Sequence, residues 1–206
     1  YLNSGSTLRY PQRFTGNTRT VSLKGEGYFK VKANPTNRFE VRLPNKLYVN
    51  AYGTEFNINA HEEQAWIETV LANGVVEVIH KEQNRINSKF LSPGQMAFTF
   101  KGDSTILVSD ANVYAKTAWK EGRMVFRRAK MQEIARRLSQ HFNVEVVLQD
   151  KELIQYEYSA TFTTETLTEI LNLLTQSSPI QWQYIEPEKQ EDFTYTKRKV
   201  IIKMRK

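Results

Sequence analysis

The sequence predicts two domains: an all-β domain, sandwich or solenoid-like, over residues 1–112, and a small α/β domain of order βαβ-βαββ over residues 113–206. Three observations carry this. Apolar residues alternate with period two through the first 110 residues. Beyond them the spacing changes to the i, i+3, i+4 pattern of helices between short strands. The length of 206 residues suits one large domain or two small ones.

In the first half, strands are expected at residues 20–23, 28–32, 39–43, 47–51 and 55–59, at intervals that fit an all-β domain. Gly25-Glu26-Gly27 reads as a turn between the first two. Asn73-Gly74, between the apolar runs 66–71 and 75–79, suits a type I′ hairpin, and Pro93-Gly94 suits a type II turn before a strand at 95–100. Residues 110–119 read as a connector or short helix ending on Trp119. After a strand at 124–126, Met131, Ile134, Ala135, Leu138 and Phe142 form one helical stripe, closed by Asn143 before a strand at 144–148. The second unit has a strand at 156–162, Thr164 as N-cap, a stripe of Leu167, Ile170, Leu171 and Leu174, and final strands at 180–185 and 200–204.

Composition excludes several classes. With 40% hydrophobic and 25% charged residues, 10 Tyr and 11 Phe, the chain is neither disordered, collagenous nor coiled coil. No apolar run reaches the roughly 18 residues of a membrane helix, and the opening Tyr1-Leu2-Asn3-Ser4-Gly5-Ser6 lacks the regions of a signal peptide. The chain starts without Met inside an expected strand, so it reads as a fragment truncated at its N-terminus. Absence of cysteine removes disulfides and thiol chemistry but leaves the redox compartment open. The net charge of +7 divides evenly between the halves. Residues 116–137 hold eight basic and two acidic side chains, and residues 197–206 hold six basic and none acidic, which read as solvated faces.

No active site is legible. His61, His80 and His141 stand apart, with no second ligand at helical spacing, so no metal is expected. There is no Gly-x-Ser-x-Gly elbow, and Gly25-Glu26-Gly27 lacks the third glycine of a dinucleotide loop. The chain reads as a non-enzyme without cofactors. Among the aromatics, Trp66, Trp119 and Trp182 fit core packing. Tyr48 and Tyr52 take the phase opposite Leu47, Val49 and Ala51, and are the expected partner-binding residues, followed by Val200 and Ile202 on an expected edge strand. Two other classes compete: nucleic-acid binding through Arg127, Arg128, Lys130, Arg136, Arg137 and the basic tail, and carbohydrate binding through Tyr48, Tyr52 and Trp66. The basic clusters are too short for nucleic acid to be the expected partner.

Several segments resemble the periplasmic part of FecR-type anti-sigma factors. They are Leu2-Asn3-Ser4-Gly5-Ser6-Thr7-Leu8-Arg9-Tyr10-Pro11; Arg19, Val21, Leu23, Gly25-Glu26-Gly27-Tyr28-Phe29 and Val31; and Gly53-Thr54-Glu55-Phe56-Asn57-Ile58. Leu91, Pro93-Gly94-Gln95 and Ala97 continue the resemblance, as do Ala118-Trp119-Lys120-Glu121-Gly122 and Phe126, which introduce a domain similar to the secretin/TonB short domain. Gly27, Tyr52 and Arg127-Arg128-Ala129 depart from the family's usual residues. The resemblance implies the soluble periplasmic sensor region of a single-pass inner-membrane protein, anchored by an upstream segment absent from this chain. It further implies that the signalling domain of an outer-membrane TonB-dependent transporter is the partner. An extracytoplasmic-function sigma factor would be held by a missing cytoplasmic segment.

Overall fold

A computed structural model describes residues 1–34, 36–82 and 85–205. The chain divides into two compact units, Tyr1–Lys120 and Glu121–Lys206. The change of period near residue 112 marks the end of the strands, and the chain leaves the first unit eight residues later.

The first unit contains β1 (Thr7–Arg9), β2 (Thr18–Lys30), β3 (Arg38–Arg42), β4 (Leu47–Ala51), β5 (Glu55–Ala60), β6 (Trp66–Asn73), β7 (Val76–Glu82), β8 (Arg85–Leu91), β9 (Gln95–Phe100), β10 (Leu107–Asp110) and the short helix α1 (Val113–Thr117). The strands form one ten-stranded, nearly closed sheet in the order β10-β9-β6-β5-β2-β3-β4-β7-β8, with β1 added against β2. Its closure rests on β2. Residues Thr18 to Ser22 pair in parallel with β3, and residues Gly25 to Lys30 pair antiparallel with β5, so one long strand serves both halves of the sheet. The apolar phase points inward: Val21, Leu23, Val41, Leu47, Val49, Phe56, Ile58, Ile67, Leu71 and Val78 are buried in one cluster.

Two turns expected from sequence are something else. Gly25-Glu26-Gly27 lies inside β2, with Gly25 at φ +88° where the strand changes partners; a Cβ there would meet the Cα of Ser6 at 2.8 Å. Asn73-Gly74 closes no hairpin, because β6 pairs with β5 and β9 while β7 pairs with β4 and β8. Only Gly74 of the two has positive φ, whereas type I′ needs both. The link carries the chain from one half of the sheet to the other. Pro93-Gly94 does form its turn, with Gly94 at φ +90° and Gln95 N–H donating to Ser92 O at 3.0 Å.

The second unit runs β11 (Met124–Lys130), α2 (Met131–Phe142), β12 (Glu145–Leu148), β13 (Glu157–Phe162), α3 (Leu167–Ser177), β14 (Ile180–Ile185) and β15 (Lys199–Met204), the expected order. β11 pairs with β13, and a separate three-stranded sheet has the order β12-β15-β14. Met131, Ile134 and Leu138 of α2 and Leu167, Ile170, Leu171 and Leu174 of α3 are buried together, with Phe142 partly buried against them. Asn143 ends α2 in the left-handed region at φ 52°. The N-cap of α3 is Thr166, not Thr164: its hydroxyl accepts from Glu169 N–H while the Glu169 carboxylate accepts from Thr166 N–H, a reciprocal pair that Thr164 cannot make. Arg127-Arg128-Ala129 is part of β11, irregular in register there, with Arg128 at φ 47°.

The strand expected as an edge, 200–204, is the middle strand of its sheet. It pairs with β12 on one side and β14 on the other. The basic residues around it therefore do not protect an edge, and Lys206 lies outside the described residues.

Candidate partner-binding surface

Tyr48 lies on the outer phase of β4 and Tyr52 follows one residue past the strand, and their surroundings differ. Tyr48 faces Arg42 on β3 and Ile79 on β7, and the Lys81 ammonium sits 4.5 Å from its ring centroid, leaving it half-buried. Tyr52, just past the strand, is 48% exposed. Asn50 between them is buried, its amide 3.4 Å from Glu77. Glu40, opposite Asn50 on β3, is covered by Arg42 at 3.1 Å and Arg38 at 3.9 Å. Long polar side chains thus cloak this outer face, and Tyr52 is the more open of the two rings.

The other half of the sheet has its outer face covered by residues 113–120. Trp119 is 9% exposed, and its indole Nε1 donates to Asn57 Oδ1 at 3.1 Å. Asn57 Nδ2 donates to Glu26 Oε1 at 2.8 Å, and the other Glu26 oxygen accepts from Asn3 Nδ2 at 2.7 Å. Lys116 Nζ reaches the buried Glu68 carboxylate at 2.8 Å, and Lys120 stands over the Tyr28 ring at 5.0 Å. Gln64 donates to Asn59 beside them. The Tyr28 hydroxyl donates to Glu55 at 2.7 Å, and this bond, with Lys30 nearby, holds the Glu55 carboxyl below its ordinary pKa.

The sequence marks Trp119 as a packing residue at the end of the connector and leaves open what it packs on. Glu26, Asn57, Asn59 and Glu68 all occupy the phase opposite the core, the polar phase of any strand that faces water, so the sequence carries no signal that a later segment covers them.

The remaining candidates are separated. Val200 and Ile202 have 0% exposure and lie in the core of the second unit. Trp66 is on β6, which is not a neighbour of β4, so it makes no common platform with Tyr48 and Tyr52. Trp182 packs partly buried and donates to Asn172 at 3.2 Å. The basic cluster is partly engaged: Arg137 lies over Phe126 at 4.5 Å and donates to Val125 O, Arg128 is 3.6 Å from Glu157, and Lys199 is 3.1 Å from Glu145. Burial and, next, Arg137 lower the His141 pKa. Among the described residues, no group of three or more His, Asp or Glu is placed to hold a metal ion, and no helix is long and apolar enough to cross a membrane.

Residues 1–77 match the FecR protein family, and residues 123–191 match the FecR C-terminal family. Together these spans cover more than two thirds of the chain, one in each unit. The chain belongs to the FecR-type anti-sigma factor family. Two crystal structures of a protein from Parabacteroides distasonis ATCC 8503 assigned as an anti-sigma factor, at 1.65 Å and 2.50 Å, share its fold with 24% identity and a TM-score of 0.75. The similarity covers 98% of this chain and 87% of the other in the first, and 100% and 89% in the second. No curated protein matches this sequence.

Proposed function

We propose that the chain is the periplasmic sensor region of an inner-membrane anti-sigma factor, relaying a signal from an outer-membrane TonB-dependent transporter to an extracytoplasmic-function sigma factor. It acts by binding and not by catalysis. The second unit serves as an α/β domain of the secretin/TonB short-domain kind, and Tyr52 is a contact for the transporter's signalling domain. One observation supports this most. The two family matches flank residues 113–120, which leave the first unit only after Trp119, Lys116 and Lys120 have fixed them to its sheet. Such attachment holds the end of the partner-contacting unit in one fixed seating, which suits a binding module.

Calorimetry with the purified signalling domain of the matching transporter tests the reading. Saturable one-to-one binding, weakened by Tyr52→Ala in a folded variant, is expected, since exposed aromatic anchors dominate interface energies. Absence of binding at 100-fold excess over a micromolar chain would remove the transporter from the scheme.

A further inference from the structure

β8 ends the sheet of the first unit, pairing with β7 along Arg85 to Leu91 and with no strand on its other side among the described residues. It is also exposed on both faces. On one lie Ile86, 74% exposed, and Phe90, 63% exposed, with Ser88 between them. The other face presents Arg85, Asn87 and Lys89 before Leu91 turns into the core. A cleft of about 510 Å³ opens beside the first half of the strand, walled by His80, Glu82, Arg85, Ile86, Asn87 and Ser104. Its far wall is Ser104, whose carbonyl oxygen accepts from the Asn87 amide at 2.8 Å.

An open strand edge with large apolar side chains is normally blunted or used. We propose that β8 takes up an extended segment of a partner protein as an additional strand, in which apolar residues alternate with acidic ones. The backbone of β8 supplies the hydrogen bonds. Because side chains alternate across a strand, the guest's apolar residues fall on the Ile86 and Phe90 side while its carboxylates meet Arg85 and Lys89. Neither Arg85 nor Lys89 is in an ion pair among the described residues. The same charges disfavour a second copy of this chain, since antiparallel β8–β8 pairing sets lysine and arginine side chains against one another. The inference concerns the first unit alone and holds whether or not a transporter supplies the segment.

The test is titration of the whole chain with a synthetic heptapeptide having valine at odd positions and glutamate at even ones, followed by amide chemical shifts. Shifts centred on Arg85 to Leu91 are expected. Methylating alternate backbone nitrogens of the peptide, so that they cannot donate, should weaken binding about tenfold or more. Exchanging glutamate for lysine in the peptide should weaken it roughly threefold to tenfold, and an R85E/K89E variant should reverse that preference. The peptide comparisons need no variant to fold. No binding at millimolar peptide, equal binding of the methylated peptide, shifts centred on another strand, or a concentration-dependent dimer that the peptide dissociates would each overturn the proposal.

Discussion

The Trp119 indole N–H donates to Asn57 Oδ1 at 3.1 Å across 62 residues of sequence, and both residues are buried. Asn57 spends its amide N–H on Glu26, so its oxygen is left for one geometrically defined donor. A purely apolar contact would tolerate sliding of residues 113–120 along the sheet. A chain of directed bonds specifies a single seating, because each group left unpaired in the interior costs its full desolvation.

Trp119→Phe keeps most of the ring and deletes the donor. It should cost about 1–3 kcal/mol, the penalty for stranding a buried acceptor. Denaturant titration measures it, with Asn57→Leu/Trp119→Phe as the companion, which should cost more because it also removes the Asn57 bond to the buried Glu26 carboxylate. Equal loss in both would mean that ring packing, not the hydrogen bond, holds the segment.

Gly53 is held at φ +87°, where a Cβ would lie 2.6 Å from Ala33 Cβ, whereas Gly94, at φ +90°, has nothing within 4 Å. Gly94→Ala should cost about 1–2 kcal/mol for the backbone conformation alone. Gly53→Ala should cost clearly more, and Gly53→Val more again. Comparable melting of the two alanine variants would show that the Ala33 segment yields freely.

The alternation of apolar residues sufficed for β3 to β7 and β9, and the helical stripes for α2 and α3, because burial follows those periods directly, whereas β1, β8 and β10 were not expected from it. Pairing was another matter. Gly25 to Gly27 reads as a turn from composition, yet β2 continues through it since β3 and β5 claim successive parts of one strand. Asn73-Gly74 has hairpin chemistry, but β6 and β7 find partners elsewhere. Likewise 200–204, last in sequence, is central because β12 pairs with it in parallel. Tyr52 was legible as an outward residue from phase alone. The network under Trp119 was not, because it depends on which polar residues a distant segment covers.

Leu171, 1% exposed at the centre of the α3 stripe, should cost roughly 2–5 kcal/mol on truncation to alanine. Thr166→Ala should cost about 1 kcal/mol through loss of the cap. Chemical denaturation reads both, and a Leu171→Ala cost near zero would show that the core of the second unit collapses around the void.

The Glu55 carboxyl titrates below its ordinary value, first because Tyr28 donates to it and then because of Lys30, 3.6 Å away. A carboxylate whose folded pKa is lowered adds stability that is present above the unfolded pKa and lost as pH falls through the folded one. Tyr28→Phe removes the larger cause while leaving Lys30 in place, so the Glu55 titration, followed by its side-chain carboxyl carbon resonance, should move upward without reaching the ordinary value. The acid limb of the stability curve should begin at correspondingly higher pH. An unchanged Glu55 midpoint in the folded variant would transfer the effect to Lys30, and Lys30→Met would then produce the shift that Tyr28→Phe did not.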